Sequence, residues 1–121
     1  MEIEYNPWAM FHSTDMGDNL EEVVETEDCK VLRMKDPSGD GLMTIYRVFD
    51  GVYLMYNDFH MSHCYSRFNS SSRIFCIDHC REGRIEHRTD KDMRYYMEHG
   101  DLRMDRRVHH NGDMYFPVSH Y

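Results

Sequence analysis

From residue 31 onward the chain runs in short apolar and aromatic stretches, each closed by turn-forming residues, which is the pattern of many short strands. Residues 42–49 and 52–59 flank Asp50-Gly51, a dipeptide suited to the two-residue turn whose twist matches a tight hairpin. Residues 73–80 form a further predicted strand after the loop Asn69-Ser70-Ser71-Ser72, and residues 84–88 another after the turn at Glu82-Gly83. Residues 93–97 and 102–106 flank His99-Gly100-Asp101, and Asn111-Gly112 opens a run over 114–118. A helix over 92–99 ended by Gly100 competes at one place, because Met93, Tyr96 and Met97 share a helical face. Recurrent turns on both sides favour the strand. About seven or eight strands at this spacing predict an all-β sandwich or small barrel.

The first thirty residues read differently. Asp, Glu and Asn dominate residues 15–28, where only Leu20, Val23 and Val24 offer apolar contacts, so residues 1–30 are expected to form an acidic N-terminal arm ahead of a barrel over 31–121. A short helix over 19–27 with Asp18 as its N-cap fits the arm, although its apolar face is only one turn wide. Trp8, in Asn6-Pro7-Trp8, leaves two readings open: an arm that moves, or an anchor packed on the barrel. Residues 35–41, Lys-Asp-Pro-Ser-Gly-Asp-Gly, read as a loop.

Charge narrows the function classes. The chain has 121 residues, the size of one domain, and a formal net charge of −8, which argues against binding a phosphate backbone. The basic residues between Arg81 and Arg107 are interleaved with Glu82, Glu86, Asp90, Asp92, Glu98, Asp101 and Asp105, a mixed solvated surface and not a nucleic-acid stripe. No stretch approaches the roughly 18 apolar residues that cross a bilayer, and the start MEIEYNPW has neither a basic nor an apolar leader region. A cytoplasmic protein with no membrane partner is the expectation. Its four cysteines, Cys29, Cys64, Cys76 and Cys80, are then expected to be reduced. On one strand Cys76 and Cys80 would stand about 13 Å apart, too far to bridge.

Nine histidines and four cysteines raise the question of a metal, with His60, His63 and Cys64 in one cluster and Cys76, His79 and Cys80 in another. On a strand His79 points opposite to Cys76 and Cys80, so one ion does not readily take all three, and no metal or other cofactor is assigned. No nucleophile elbow or other thiolate-activating flank surrounds a cysteine, and no catalytic residue is assigned either. Eleven methionines and nine tyrosines instead suit an adaptable ligand pocket, although any one of Met43, Met55, Met93 and Met104 is explained by core packing. Two polar groups are candidate ligand contacts. His79 interrupts the apolar alternation Phe75-Ile77-His79, where it needs a partner, either a core backbone carbonyl or a ligand. Tyr56 shares a face with Val52 and Leu54, packing in the core with its hydroxyl reaching the rim.

The blocks IFCIDHCREGRIEH, YYMEHGDLRMDRR and FPVSHY, with Gly83, Gly100-Asp101, Pro117 and His120 in order, resemble the N-terminal sensor domain of AraC-family transcription regulators. The stretch GVYLMYNDFHM, residues 51–61, is similar to the upstream hairpin strand of such regulators, so the resemblance covers roughly residues 42–121. It implies a cupin-like jelly-roll barrel that binds a small-molecule effector, with His120 and Tyr121 at the barrel mouth. It also implies that a helix-turn-helix domain lies beyond Tyr121, in a full-length parent able to form a homodimer, and that this segment itself makes no DNA contact. The ending Pro117-Val118-Ser119-His120-Tyr121 reads as a strand or its exit, as expected of a fragment. The alternative is a cupin-like metal-dependent enzyme or metal-binding module. The chain lacks the His-x-His pair that enzymatic cupins use to gather ligands.

Overall fold

A computed structural model describes Trp8 and residues 19–66, 69–89, 94–109 and 112–121, with side chains left out at residues 66, 69–73, 89 and 107–109. Ten strands follow one another: β1 Leu20–Glu25, β2 Cys29–Asp36, β3 Gly39–Phe49, β4 Val52–His60, β5 His63–Ser66, β6 Asn69–His79, β7 Arg84–Thr89, β8 Arg94–Glu98, β9 Leu102–His109 and β10 Gly112–Tyr115. All pairings are antiparallel, in a sheet ordered β1-β2-β3-β4, a sheet ordered β5-β10-β7-β8 and a two-stranded ribbon β6-β9. The protein is all-β. Among the described residues no helix is long and apolar enough to cross a membrane.

Alternation explains the core. On β2 and β3 the buried residues Leu32, Met34, Met43 and Ile45 share one face, and Ile85, Met97, Cys64 and Met114 play that part on the second sheet. These two inner faces merge into one cluster with Phe59, Met61 and Phe116. Trp8 joins it, 3% exposed, its indole N–H donating to the carbonyl of Thr26 at 2.6 Å. Trp8 is thus packed against the core in this structure.

The β3–β4 hairpin turns at Asp50-Gly51 as expected, with Gly51 at φ 81°, and residues 94–98 are strand and not helix. Four expectations need correction. The helix over 19–27 is absent, and Leu20–Glu25 is instead a strand that hydrogen-bonds to β2, so the sheet begins inside the segment read as an arm. The cause is long-range. Lys30 is 2% exposed on the inner face of β2, and a register shift between Glu22 and Val24 turns both Glu22 and Glu25 toward its ammonium, at 3.6 and 3.3 Å. Without the extra residue, carboxylates three apart would face opposite sides. The loop over 35–41 shrinks to a turn, because Asp36 accepts from the Ser38 amide at 2.9 Å and hydroxyl at 2.6 Å, and pairing resumes at Gly39. The serine-rich stretch from Asn69 belongs to β6. Finally, the face carrying Phe75, Ile77 and His79 looks outward, Phe75 and Ile77 each 64% exposed.

Candidate functional site

The inverted polarity of the β6–β9 ribbon builds the site. Its half-buried face carries Cys76 and Asp78 on β6 opposite Asp105 and Arg103 on β9. Antiparallel register places these pairs directly across from one another, and Arg103 leans from the ribbon onto β8, with its guanidinium carbon 3.6 Å from the centroid of the Tyr95 ring. One guanidinium nitrogen, Nη2, donates to Asp105 at 3.0 Å, whereas Nη1 is buried and meets no acceptor among the described residues.

Tyr95 in turn faces His87, its partner across the β7–β8 ladder. The phenol and the imidazole Nδ1 share a hydrogen bond, and the rings meet edge-on at 4.9 Å. His87 is 1% exposed, so a phenol placed against its ring is what makes an imidazole tolerable in this core. His87 and Tyr95 also line an open cleft of about 380 Å³, shared with Glu86, Arg88, Arg94, Tyr96 and Tyr115. Its outer wall is braced. Arg84 donates to Glu86 at 3.1 Å and to Glu98 at 2.9 Å and lies 4.2 Å over the Tyr96 ring, and its hydrogen bond to Glu86 raises its pKa further above the ordinary guanidinium value. By register the side chains of Glu86, Arg88, Arg94 and Tyr96 share the outer face of β7 and β8 and those of His87 and Tyr95 the inner one, so the cleft offers a small ligand chiefly the outer group with Tyr115.

The two buried thiols, Cys64 and Cys80, are not activated nucleophiles. Burial pushes the Cys64 thiol up to about 12, and burial likewise raises that of Cys80. Both stay protonated at neutral pH. No protein-family model, curated protein or solved structure matches the chain. Its function is therefore argued from the site.

The four residues singled out in the sequence do not form one site. His79 is exposed on the outer face of β6, so the cost assigned to it in a core does not arise there. Tyr56 lies on the outer face of β4, 48% exposed, where its hydroxyl accepts from Arg81. Its expected core packing is thereby corrected: Val52 and Leu54 on the same face are exposed too. Tyr121 packs on Phe59 and Phe116, ring centroids 6.2 and 6.1 Å away. Beside it, the His120 ring stacks on that of His60 at 4.7 Å and its Nε2 lies 3.6 Å from Asp58. The sequence clusters also disperse, with His63 turned to Asp113 at 2.9 Å while Cys64 is buried in the core. The residues missed, His87, Tyr95 and Arg103, carried one legible signal. Ile85-x-His87 and Tyr95-x-Met97 alternate with the core period on two adjacent strands.

Proposed function

We propose that the chain is the effector-binding barrel of a transcription regulator of the AraC type, wound as a cupin-like jelly roll. Its effector is a small molecule joining a planar apolar body to an anionic group. The jelly-roll reading draws support from nested pairing: β7 with β8, β6 with β9, β5 with β10, and β4 with the segment at Tyr121, whose amide and carbonyl exchange hydrogen bonds with Phe59 at 3.0 and 2.7 Å. A long antiparallel hairpin rolled on itself has this order.

The observation that carries the ligand reading is the cleft lined by Tyr95, Tyr96, Tyr115, Arg88 and Arg94 together with Glu86 and His87, in which two guanidinium groups outnumber the one carboxylate. A carboxylate placed between Arg88 and Arg94, partners across the β7–β8 ladder, would accept charge-assisted hydrogen bonds from both. The phenols supply flat apolar area with polar rims. Occupancy would then be transmitted to a DNA-binding domain, and to the partner subunit of a homodimeric parent, through a difference in ligand affinity between two states.

Thermal melts with benzoate and with arabinose, a neutral polar comparison, test this reading. Benzoate is expected to raise Tm in the unaltered chain, arabinose is not, and Arg88→Met or Arg94→Met should weaken benzoate binding by about tenfold or more, the loss of one charge-assisted hydrogen bond. An arabinose shift that survives both substitutions would place the effector elsewhere and make it a neutral polar molecule.

A further inference from the structure

Asp58, His60 and His120 each bring one ligand atom into a group whose members all lie within 4.8 Å of one another, the one such group of three or more potential metal ligands among the described residues. Backbone pairing explains how they meet. Asp58 and His60 are two apart on β4, hence on one face, and β4 is an edge strand of its sheet. The free edge is taken up by the segment at Tyr121, because Phe59 and Tyr121 exchange both of their amide–carbonyl hydrogen bonds. That exchange is the signature of an antiparallel pair, and it sets His120 directly across from His60. Their rings stack at 4.7 Å with an 18° interplanar angle, both on the Asp58 side. Such stacking is ordinary for cross-strand neighbours; the shared carboxylate is not explained by it.

Three further facts make this a formed site and not a chance meeting of exposed side chains. The His120 carbonyl accepts from the Arg84 amide at 3.2 Å, so the backbone of His120 is held from β7 as well as being flanked by the Tyr121 pairing. Gly83, at φ 80°, leaves the space that carbonyl needs: a Cβ there would stand 2.0 Å from the His120 oxygen. The donor atoms are also spaced for a small ion. His60 Nε2 lies 3.0 Å and His120 Nε2 3.6 Å from the same Asp58 oxygen, and Glu82 Oε2 lies 3.7 Å from His120 Nε2. Ligand bonds of about 2.0–2.2 Å in a tetrahedron put neighbouring donors roughly 3.4 Å apart.

We infer that Asp58, His60 and His120 bind a zinc-class divalent cation, with the fourth position open to water or to Glu82. Two imidazoles and a carboxylate are borderline donors that suit Zn2+ over Mg2+ or Ca2+, which want oxygen ligands in larger number. The ion would fasten the segment at Tyr121 to β4, beside the start of β7, and its ligands share no residue with the lining of the β7–β8 cleft. It is independent of the effector reading, and either can fail alone.

Calorimetric titration of the whole chain with ZnCl2 at pH 7.5, with Co2+ absorption as a second readout, tests the inference. The expected result is one saturable ion per chain, weakened by about tenfold or more in each of His60→Ala, His120→Ala and Asp58→Asn, with loss of the intense tetrahedral Co2+ bands. All three side chains are at least partly exposed, and circular dichroism of the metal-free variants checks that they fold. His63→Ala, whose imidazole sits apart with Asp36 and Asp113, should bind Zn2+ as the unaltered chain does. Absence of saturable binding up to about 100 µM, a level far weaker than metal sites of this ligand type require, would overturn the inference. So would Zn2+ affinity unchanged in both histidine variants, or lost in His63→Ala alone.

Discussion

Gly41 stands across the β3–β4 ladder from Phe59, and a Cβ added to it would lie 1.9 Å from the phenyl ring. Phe59 is buried at 3% exposure between Phe116 and Tyr121, so its ring has little room to give way. Gly41→Ala is expected to destabilise the protein by about 1–3 kcal/mol through overpacking, read as a lower urea midpoint with unchanged slope. A second residue-scale consequence concerns Cys64. Its folded thiol, pushed up to about 12 by burial, binds a proton that the unfolded chain, near the ordinary value of 9.0, releases earlier. Between those values the folded state holds more protons, so stability contributed by Cys64 is complete below pH 9 and falls as pH rises toward 12. The pH slope of the urea midpoint from 9 to 11 should therefore be shallower in Cys64→Ala, whatever offset the lost sulfur introduces. An identical slope would mean the thiol titrates normally.

At the scale of elements, the bulge in β1 and the inversion of the β6–β9 ribbon separate what was legible in the sequence from what was not. The β3–β4 hairpin was legible because its turn chemistry is local, Asp50-Gly51 joining two alternating runs. Strand β1 was not, since residues 20–25 have a burial pattern of one half-buried and five exposed positions and gain their order from pairing with β2 and from Lys30. Replacing Glu22 and Glu25 together by Gln is expected to cost about 1–2 kcal/mol, because the ammonium keeps its burial and loses two partly exposed carboxylates. Lys30→Met, which removes the charge itself, should be near neutral by the same measurement. The ribbon misled by alternation. Phe75 and Ile77 looked like a core face, yet they and Leu102 and Met104, 63% and 62% exposed, point outward while Arg103 and Asp105 point in. Period two identifies which residues share a face, not which face is inside. Ile77→Thr and Met104→Gln should accordingly change stability by no more than about 0.5 kcal/mol each, whereas comparable changes at buried Ile45 or Met97 cost several times as much.

At the scale of the whole molecule, the pairing of β5 with β10 and of β4 with the segment at Tyr121 joins residues 46 to 62 positions apart, an order that no local run announces. That closure brings the cleft of β7 and β8 to one place and the His60–His120 pair to another, so His60 and His120, picked from the sequence for different reasons, meet in one cluster with Asp58. It also distributes charge. Of the basic groups described, Lys30, Lys35, Arg47, Arg84 and Arg103 are each within 4.0 Å of a carboxylate, and Arg81 is committed to Tyr56. With a net charge of −8 there is no excess of cations to displace counterions from a duplex. Fluorescence anisotropy with a labelled 20-bp duplex should therefore show no saturable binding at about 150 mM salt and only weak, sequence-independent binding at about 20 mM, where screening is lowest. Micromolar binding by the chain, with a steep fall as salt rises, would show that the arginines of the β7–β8 cleft face phosphate instead of the small anion proposed for them.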